Sequence, residues 1–237
     1  MNSLFTNDIT LDHESHTYRL SDNSEINFSS VTEFIHQFFR KFDKEKIAEK
    51  LTKEHPKYMH MTVEQLIEEW GKGAKRGTIV HNELELFINE GVKPEHELAK
   101  AGWEWIKEKQ KNPDNVFHSE AIVFSKELSI AGTVDLLIYN KKTETYHLID
   151  WKTNKRIDQK SFGGKKGILD STAHLDDCNF SHYSLQLSFY RYILENYYGL
   201  KIDKQIIFHL KRNDYQIYNV KYHKEDIVNM LKEKELL

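Results

Sequence analysis

With 237 residues, 39% of them hydrophobic and 12% aromatic, the chain can bury the core of one large domain, or of a domain with a helical elaboration, and wholesale disorder is excluded. No run approaches the ~18 apolar residues of a membrane span, Met1-Asn2-Ser3-Leu4-Phe5 lacks the pattern of a secretory signal, and the single cysteine, Cys178, excludes an internal disulfide or a four-cysteine iron–sulfur cluster. The expected compartment is a reducing cytoplasm (a host cytoplasm if the protein is viral), and a formal net charge of −3 argues against non-specific wrapping of duplex DNA while leaving room for a local basic cleft.

In chain order, Ile9-Thr10-Leu11 and Thr17-Tyr18-Arg19-Leu20 flank a polar turn through Asp12 to Ser15 and predict a β-hairpin. Ser30-Val31-Thr32-Glu33 has the spacing of a capping box and predicts a helix through Phe34, Ile35, Phe38 and Phe39. Thr62-Val63-Glu64-Gln65 is a second such start, with Leu66, Ile67 and Trp70 behind it. Gly71, Gly73 and Gly77 are expected to loosen the chain before a further helix. That helix begins near Thr78, carries Ile79, Val80, Leu84, Phe87 and Ile88 as its apolar stripe, and stops at Gly91. Another covers roughly 96–110 around Trp103 and Ile106.

The texture then changes to three strands, 117–125, 128–139 and 145–152, the last two joined by a polar turn from Asn140 to Glu144. Residues 153–182 read as a long Gly/Lys/Asp-rich loop, unusual inside a compact domain and so a functional candidate. A helix over about 183–198 ends at Gly199; Ile206–Leu210 and Ile217–Val220 form a hairpin turning at Asn213-Asp214, and a short helix starts near 224. This order predicts an α/β or α+β core with an N-terminal helical region. We read 1–237 as one domain, with a hairpin and helical part over 1–115 and a core over 116–237.

The chemistry concentrates at the strands. Gly132-Thr133-Val134-Asp135 reads as a small-residue turn ending in a carboxylate before the apolar run Leu136-Leu137-Ile138-Tyr139. Asp150-Trp151-Lys152 closes the run Tyr146-His147-Leu148-Ile149, and two-residue spacing puts Asp150 and Lys152 on one face with Trp151 packing on the other. Two hard carboxylate oxygens suit Mg²⁺ or Mn²⁺, which would polarise a phosphoryl oxygen and activate a bound water. Lys152 would orient or help deprotonate that water, or stabilise charge on the phosphate. The plain alternative for Asp150 and Lys152 is an inter-strand salt bridge.

His81 and Glu85 share a helical face, so His81 is a candidate ligand and Glu85 a supporting acid. Glu120 opens the first core strand and is a further candidate ligand. Gln186 and Tyr190, four apart on a helix, are candidates for phosphate or base contacts. Between 152 and 166 lie Lys152, Lys155, Arg156, Lys160, Lys165 and Lys166 against Asp158 alone, a concentration of positive charge beside the proposed chemistry. Phe38, Phe39, Trp70 and Trp103 are candidates for stacking on bases, with core packing as the competing fate.

The series His81, Asp135, Asp150-Trp151-Lys152, then Gln186-Leu187-Ser188-Phe189-Tyr190 resembles the PD-(D/E)XK nuclease superfamily, in particular its RecB-like branch. There a helical His precedes a Gly-x-x-Asp element, an Asp-x-Lys strand and a Gln-x-x-x-Tyr helix. Ser30-Val31-Thr32 is in addition similar to the mitochondrial genome maintenance exonucleases and their phage relatives. The resemblance implies a restriction-endonuclease-like core, a central mixed sheet flanked by helices, and metal-dependent hydrolysis of DNA. It implies His81, Asp135 and Asp150 as metal ligands, with the Trp151 carbonyl as a further one. It also implies Lys152 as the catalytic lysine, Gln186 and Tyr190 along the DNA path, and Glu120 at a position often acidic in relatives.

Gly163-Gly164-Lys165-Lys166-Gly167 is not a P-loop, because spacing and Ser/Thr are wrong. The expected activity is a Mg²⁺- or Mn²⁺-dependent exonuclease on single-stranded DNA ends. Its rivals are an endonuclease that nicks duplex or branched DNA, a non-catalytic nucleic-acid-binding subunit, and a metal-binding structural protein.

Overall fold

The computed structural model describes residues 8–12, 15, 17–22 and 25–237; Met1–Phe5 and residues 13 and 14 of the predicted first turn lie outside the described residues. The hairpin forms as expected, β1 (Ile9–Asp12) antiparallel to β2 (Thr17–Leu20), with Ile9 opposite Leu20. Both predicted capping boxes are built. Ser30 Oγ accepts from Glu33 N at 3.1 Å and Glu33 returns a carboxylate to Ser30 N at 3.1 Å, opening α1 (Val31–His36). This helix is shorter than the apolar pattern suggests: Phe38 and Phe39 follow it, buried in the core. A helix not anticipated from the pattern, α2 (Lys44–Glu54), is capped by Asp43 and packs on the next helix with Ala48 as its buried contact.

The second capping box, Thr62 with Gln65, opens α3 (Val63–Glu90), a single helix of 28 residues running straight through Gly71, Gly73 and Gly77. The expected break is therefore absent. Glycine lowers helix propensity by about 1 kcal/mol per residue without forbidding the helix, and Leu66 at one end with Val80 and Leu84 at the other are buried hard enough to hold it together. Gly91 ends it with φ +75, the left-handed cap the sequence suggests. The helix α4 (Glu97–Gln110) follows on its predicted span.

A six-stranded mixed sheet forms the centre. β4 (Asn115–Ser125), β5 (Ile130–Asn140) and β6 (Thr145–Lys152) make the predicted antiparallel meander. The helix α5 (Asn179–Tyr197), one turn longer at its start than expected, crosses over to β7 (Ile202–Lys211), which pairs parallel to β6. β8 (Asp214–Asn219) returns antiparallel, α6 (Lys224–Glu233) follows, and the two-residue β3 (Ser29–Ser30) lies parallel to β5 at Ile130 and Ala131.

One sheet face packs Leu137, Leu148 and Ile207 against side chains of α1, α5 and α6. The other packs Leu136, Ile138, Ile149, Trp151 and Phe208 against α3 and α4. The hairpin covers Ile122, Phe124 and Ala131 further along that second face. The fold is thus mixed α/β, with helices on both sides of a mixed sheet, as the resemblance implies.

A Cβ at Gly71 would meet no atom within 4 Å. Gly71→Ala is therefore expected to raise stability by about 0.5–1 kcal/mol, seen as a higher Tm in thermal denaturation; a lower Tm would show that α3 is not one continuous helix there.

Candidate functional site

The site is built where the sheet forks. Pairing of β5 with β6 stops at Leu136–Ile149, although both strands continue. Beyond that point Trp151 N–H donates to the Asp135 carboxylate at 2.7 Å instead of to a strand carbonyl. Asp135 therefore sits inside a strand, not at the end of a turn. Alternation changes phase at this level. Val134 and Ala121 belong to the core under α5, whereas Leu136, Ile138 and Phe117 belong to the core under α3 and α4. Glu120, opposite Asp135 on β4, takes φ +47, a left-handed conformation uncommon for a non-glycine residue. The inversion turns Glu120 and Asp135 into the gap between the hairpin and α3.

Into that gap α3 sends His81. Its Nδ1 lies 3.5 Å from Asp135 Oδ1 and 4.0 Å from Glu120 Oε1, and its Nε2 donates to the Trp151 carbonyl at 3.1 Å. One donor atom from each of His81, Glu120 and Asp135 lies within 4.8 Å of the others, the spacing that a single cation needs. Asp150, 2% exposed, approaches from the α5 side of the fork. Lys152 Nζ is 2.8 Å from each of its oxygens, so Asp150 is paired with Lys152 and stands beside, not within, the group of His81, Glu120 and Asp135. The hard O/N donor set of His81, Glu120 and Asp135 fits a divalent ion. The Trp151 carbonyl points at the same group, and Glu85 lines the adjoining cleft with Glu120.

The electrostatics carry the strain of crowding acids together. Burial and then the Asp135 charge push Glu120 up to about 8, with Glu85 and Asp150 adding to the rise and His81 opposing it. Burial likewise raises Asp150 to about 6, with Lys152 opposing and Asp135 reinforcing. Asp135 is held below the ordinary carboxylate value, because the His81 charge and hydrogen bond, Lys152 and the Trp151 N–H outweigh burial. Burial alone would lower His81, yet Asp135 raises it to about 9. Lys152 is likewise raised against its burial by Asp150 and Asp135, so its ammonium keeps its proton.

On the α5 side, Lys152 also reaches Gln186 Oε1 at 3.4 Å and lies over the Tyr183 ring at 4.4 Å. Gln186 Nε2 donates to Tyr190 OH at 3.1 Å. Tyr190 is 4% exposed and faces Gly132, where a Cβ would stand 2.5 Å from its Cε1. The Tyr190 ring fills the space over Gly132, and its hydroxyl supports Gln186. This also explains the glycine of Gly132-Thr133-Val134-Asp135.

The large cleft of about 850 Å³ beside His81, Trp151 and Lys152 is lined by residues that the sequence pattern did not single out, among them Lys57, Tyr58, Lys72, Arg76, Thr153 and Asn154. A second cleft, about 570 Å³, lies under the hairpin and shares Gly77 and His81 with the first. Lys155 lines the large cleft, but Arg156, Lys165 and Lys166 line neither. Arg156 pairs with Asp158 at 3.0 Å and Lys166 with Asp176 at 3.0 Å.

Residues 165–177 fold back through a Lys166–Asp176 bridge and tie to the end of α1 (Ile168 N to Phe38 O, 2.9 Å) and to α6 (Ser171 N to Glu233, 3.2 Å). The segment takes its order from contacts with α1 and α6. Of the aromatic candidates, Phe38 and Phe39 are core, Trp103 packs on Phe87 (6.1 Å) and Trp70 lines the cleft. His209, also missed, is buried beside Lys152 in the parallel register and bonds the Asn154 carbonyl at 2.6 Å, fixing the chain as it leaves β6.

The model of the PD-(D/E)XK nuclease superfamily matches residues 15–233 of this chain. The crystal structure of SSO0001 is similar to it at 14% identity, over 90% of this chain and 76% of that one, with a TM-score of 0.42, too low to carry an argument. No curated protein matches the sequence.

Two outcomes follow from the geometry. Gly132→Ala must displace the Tyr190 ring and is expected to cost about 1–3 kcal/mol, read as a fall in Tm; an unchanged Tm would show the ring to be free. Second, the raised His81 favours folding fully below its ordinary 6.5 and loses that contribution as pH rises through about 9. The raised Asp150 and Glu120 act in the same direction, since the folded state holds protons up to about 6 and 8 that the unfolded state has already released. Without metal, stability should therefore fall between about pH 5 and 9, while divalent cations should raise Tm more at pH 8 than at pH 5.5. A flat metal-free profile over that range would contradict the assignment.

Proposed function

The chain belongs to the PD-(D/E)XK nuclease superfamily, and from that membership we propose a Mg²⁺- or Mn²⁺-dependent deoxyribonuclease of the RecB-like branch, acting as an exonuclease on single-stranded DNA ends. The observation that carries the reading is the convergence of His81, Glu120 and Asp135 within 4.8 Å, with Asp150 and Lys152 beside them at the fork of the sheet. His81, Asp135 and Asp150 are the ligands we assign, with Glu120 and the Trp151 carbonyl completing the set. The bound cation supplies Lewis-acid polarisation of a phosphoryl oxygen.

Lys152 supplies a fixed positive charge for the phosphate during attack. Its ammonium is held beside Asp150 at 2.8 Å, where it can face the phosphate. Gln186 and the Tyr183 ring set the direction of its ammonium, and Tyr190 holds Gln186. Trp151, wedged against Phe208 at 4.9 Å and Trp105 at 6.1 Å, anchors the strand that presents both charges. Single-stranded substrate is favoured because the adjoining cleft mixes aromatic rings with cations.

Asp150→Asn and Lys152→Met keep side-chain volume and are expected to lower the cleavage rate at least about a hundredfold with far-UV circular dichroism unchanged. End-labelled linear single strands should be degraded with Mg²⁺ or Mn²⁺ and spared in EDTA, while circular single strands stay intact. Cutting of circles would replace the exonuclease by an endonuclease; full activity of either variant would remove the mechanism.

A further inference from the structure

We propose that the cleft walled by the first half of α3 is the path of one nucleic-acid strand, in which Arg76 grips the phosphates and Trp70 stacks on a base. The proposal rests on the nuclease reading above and adds where the substrate lies and in what form. Lys57, Tyr58, Trp70, Lys72, Arg76 and Lys155 line this cleft, which runs onto His81 and Lys152. Glu69 is the single carboxylate among its lining residues, and Lys72 neutralises it at 3.2 Å.

Arg76 is the most informative of these residues. Its Nη2 donates to the Thr153 carbonyl at 3.2 Å, directly after the Asp-x-Lys strand. The Thr153 carbonyl orients the guanidinium at the cleft wall, and a phosphate oxygen is the acceptor whose charge and fork geometry match it. Gly77, next along α3, brings the helix to Thr153, where a Cβ would stand 3.4 Å from Oγ1, and so brings Arg76 to the end of β6.

Trp70 lies two helical turns back from Gly77 and packs on Phe42 at 5.6 Å, and Phe42 is itself 58% exposed. Lys57, lining the same cleft, lies over the Tyr58 ring at 5.2 Å. Rings beside cations hold unpaired bases of any sequence and follow the backbone charge. Paired bases, stacked inside a duplex, would leave these rings with nothing to meet.

The test uses the full-length Lys152→Met protein in EDTA, so that binding is read without cleavage, with a fluorescein-labelled oligothymidylate and a duplex of equal length. Trp70→Ala should weaken single-strand binding roughly tenfold or more. Arg76→Ala should weaken it and lower the slope of log affinity against log salt by about one; a merely structural loss would leave that slope unchanged. The Tm of each variant is followed in parallel, and Trp70→Phe, which keeps a ring, should retain most of the affinity. Normal binding by both alanine variants, or tighter binding of duplex than of single strand, overturns the proposal. If the wild type still cleaves in those cases, only the path is wrong; if it neither binds nor cleaves any DNA, the nuclease reading fails first.

Discussion

The bond from Trp151 N–H to the Asp135 carboxylate is the constraint on which the rest of the site depends. A strand N–H leaving its ladder must find another acceptor. By taking a side-chain oxygen instead of a neighbour's carbonyl, Trp151 lets β5 and β6 part beyond Leu136 and Ile149 without an unpaired amide. The gap lets groups from both faces of the sheet meet. His81 and Glu120 come from the α3 side, Lys152 and Gln186 from the α5 side, and Asp135 stands between them. A regular sheet would keep the two faces apart by its own thickness.

Assembly of this kind stores unfavourable charge. Three acids, Glu120, Asp135 and Asp150, crowd one small volume; Glu120 and Asp150 are pushed above the ordinary carboxylate range, and the cations His81 and Lys152 stand against the charge. Its surroundings are correspondingly well built: Trp151, Phe208 and Trp105 on one side, Tyr190 beneath Gly132 on the other. Preorganisation and stored repulsion are two aspects of one arrangement, since the groups a cation requires are those that repel each other in its absence.

Local chemistry was legible in the sequence where it is decided locally. Ser30 with Glu33 and Thr62 with Gln65 name their own helix starts, Gly91 its own stop, and the alternation through β4, β5 and β6 its own sheet. The Asp-x-Lys strand, Asp135 and the helical His81 pointed to one another through family resemblance, and the structure sets Asp135 against both the Trp151 N–H and His81. What could not be read depends on distant packing. Gly71, Gly73 and Gly77 signal a break that burial of Leu66 and Leu84 overrides. Tyr190 has the composition of a DNA contact, and only its position over Gly132 shows it to be internal. Lys166 counts as local positive charge until the chain folds it onto Asp176. Lys57, Tyr58 and Arg76 carry no periodic signal towards the site, because a cleft wall is a property of two segments and not of one.

The continuity of α3 makes it a measuring rod. Trp70 and His81 sit eleven residues apart on one rigid helix, about 16 Å along its axis. A flexible joint at the glycines would have let that distance drift. Whatever rests against Trp70 and whatever is held by His81 are therefore kept at a spacing set by the pitch of the helix, on one and the same side of it.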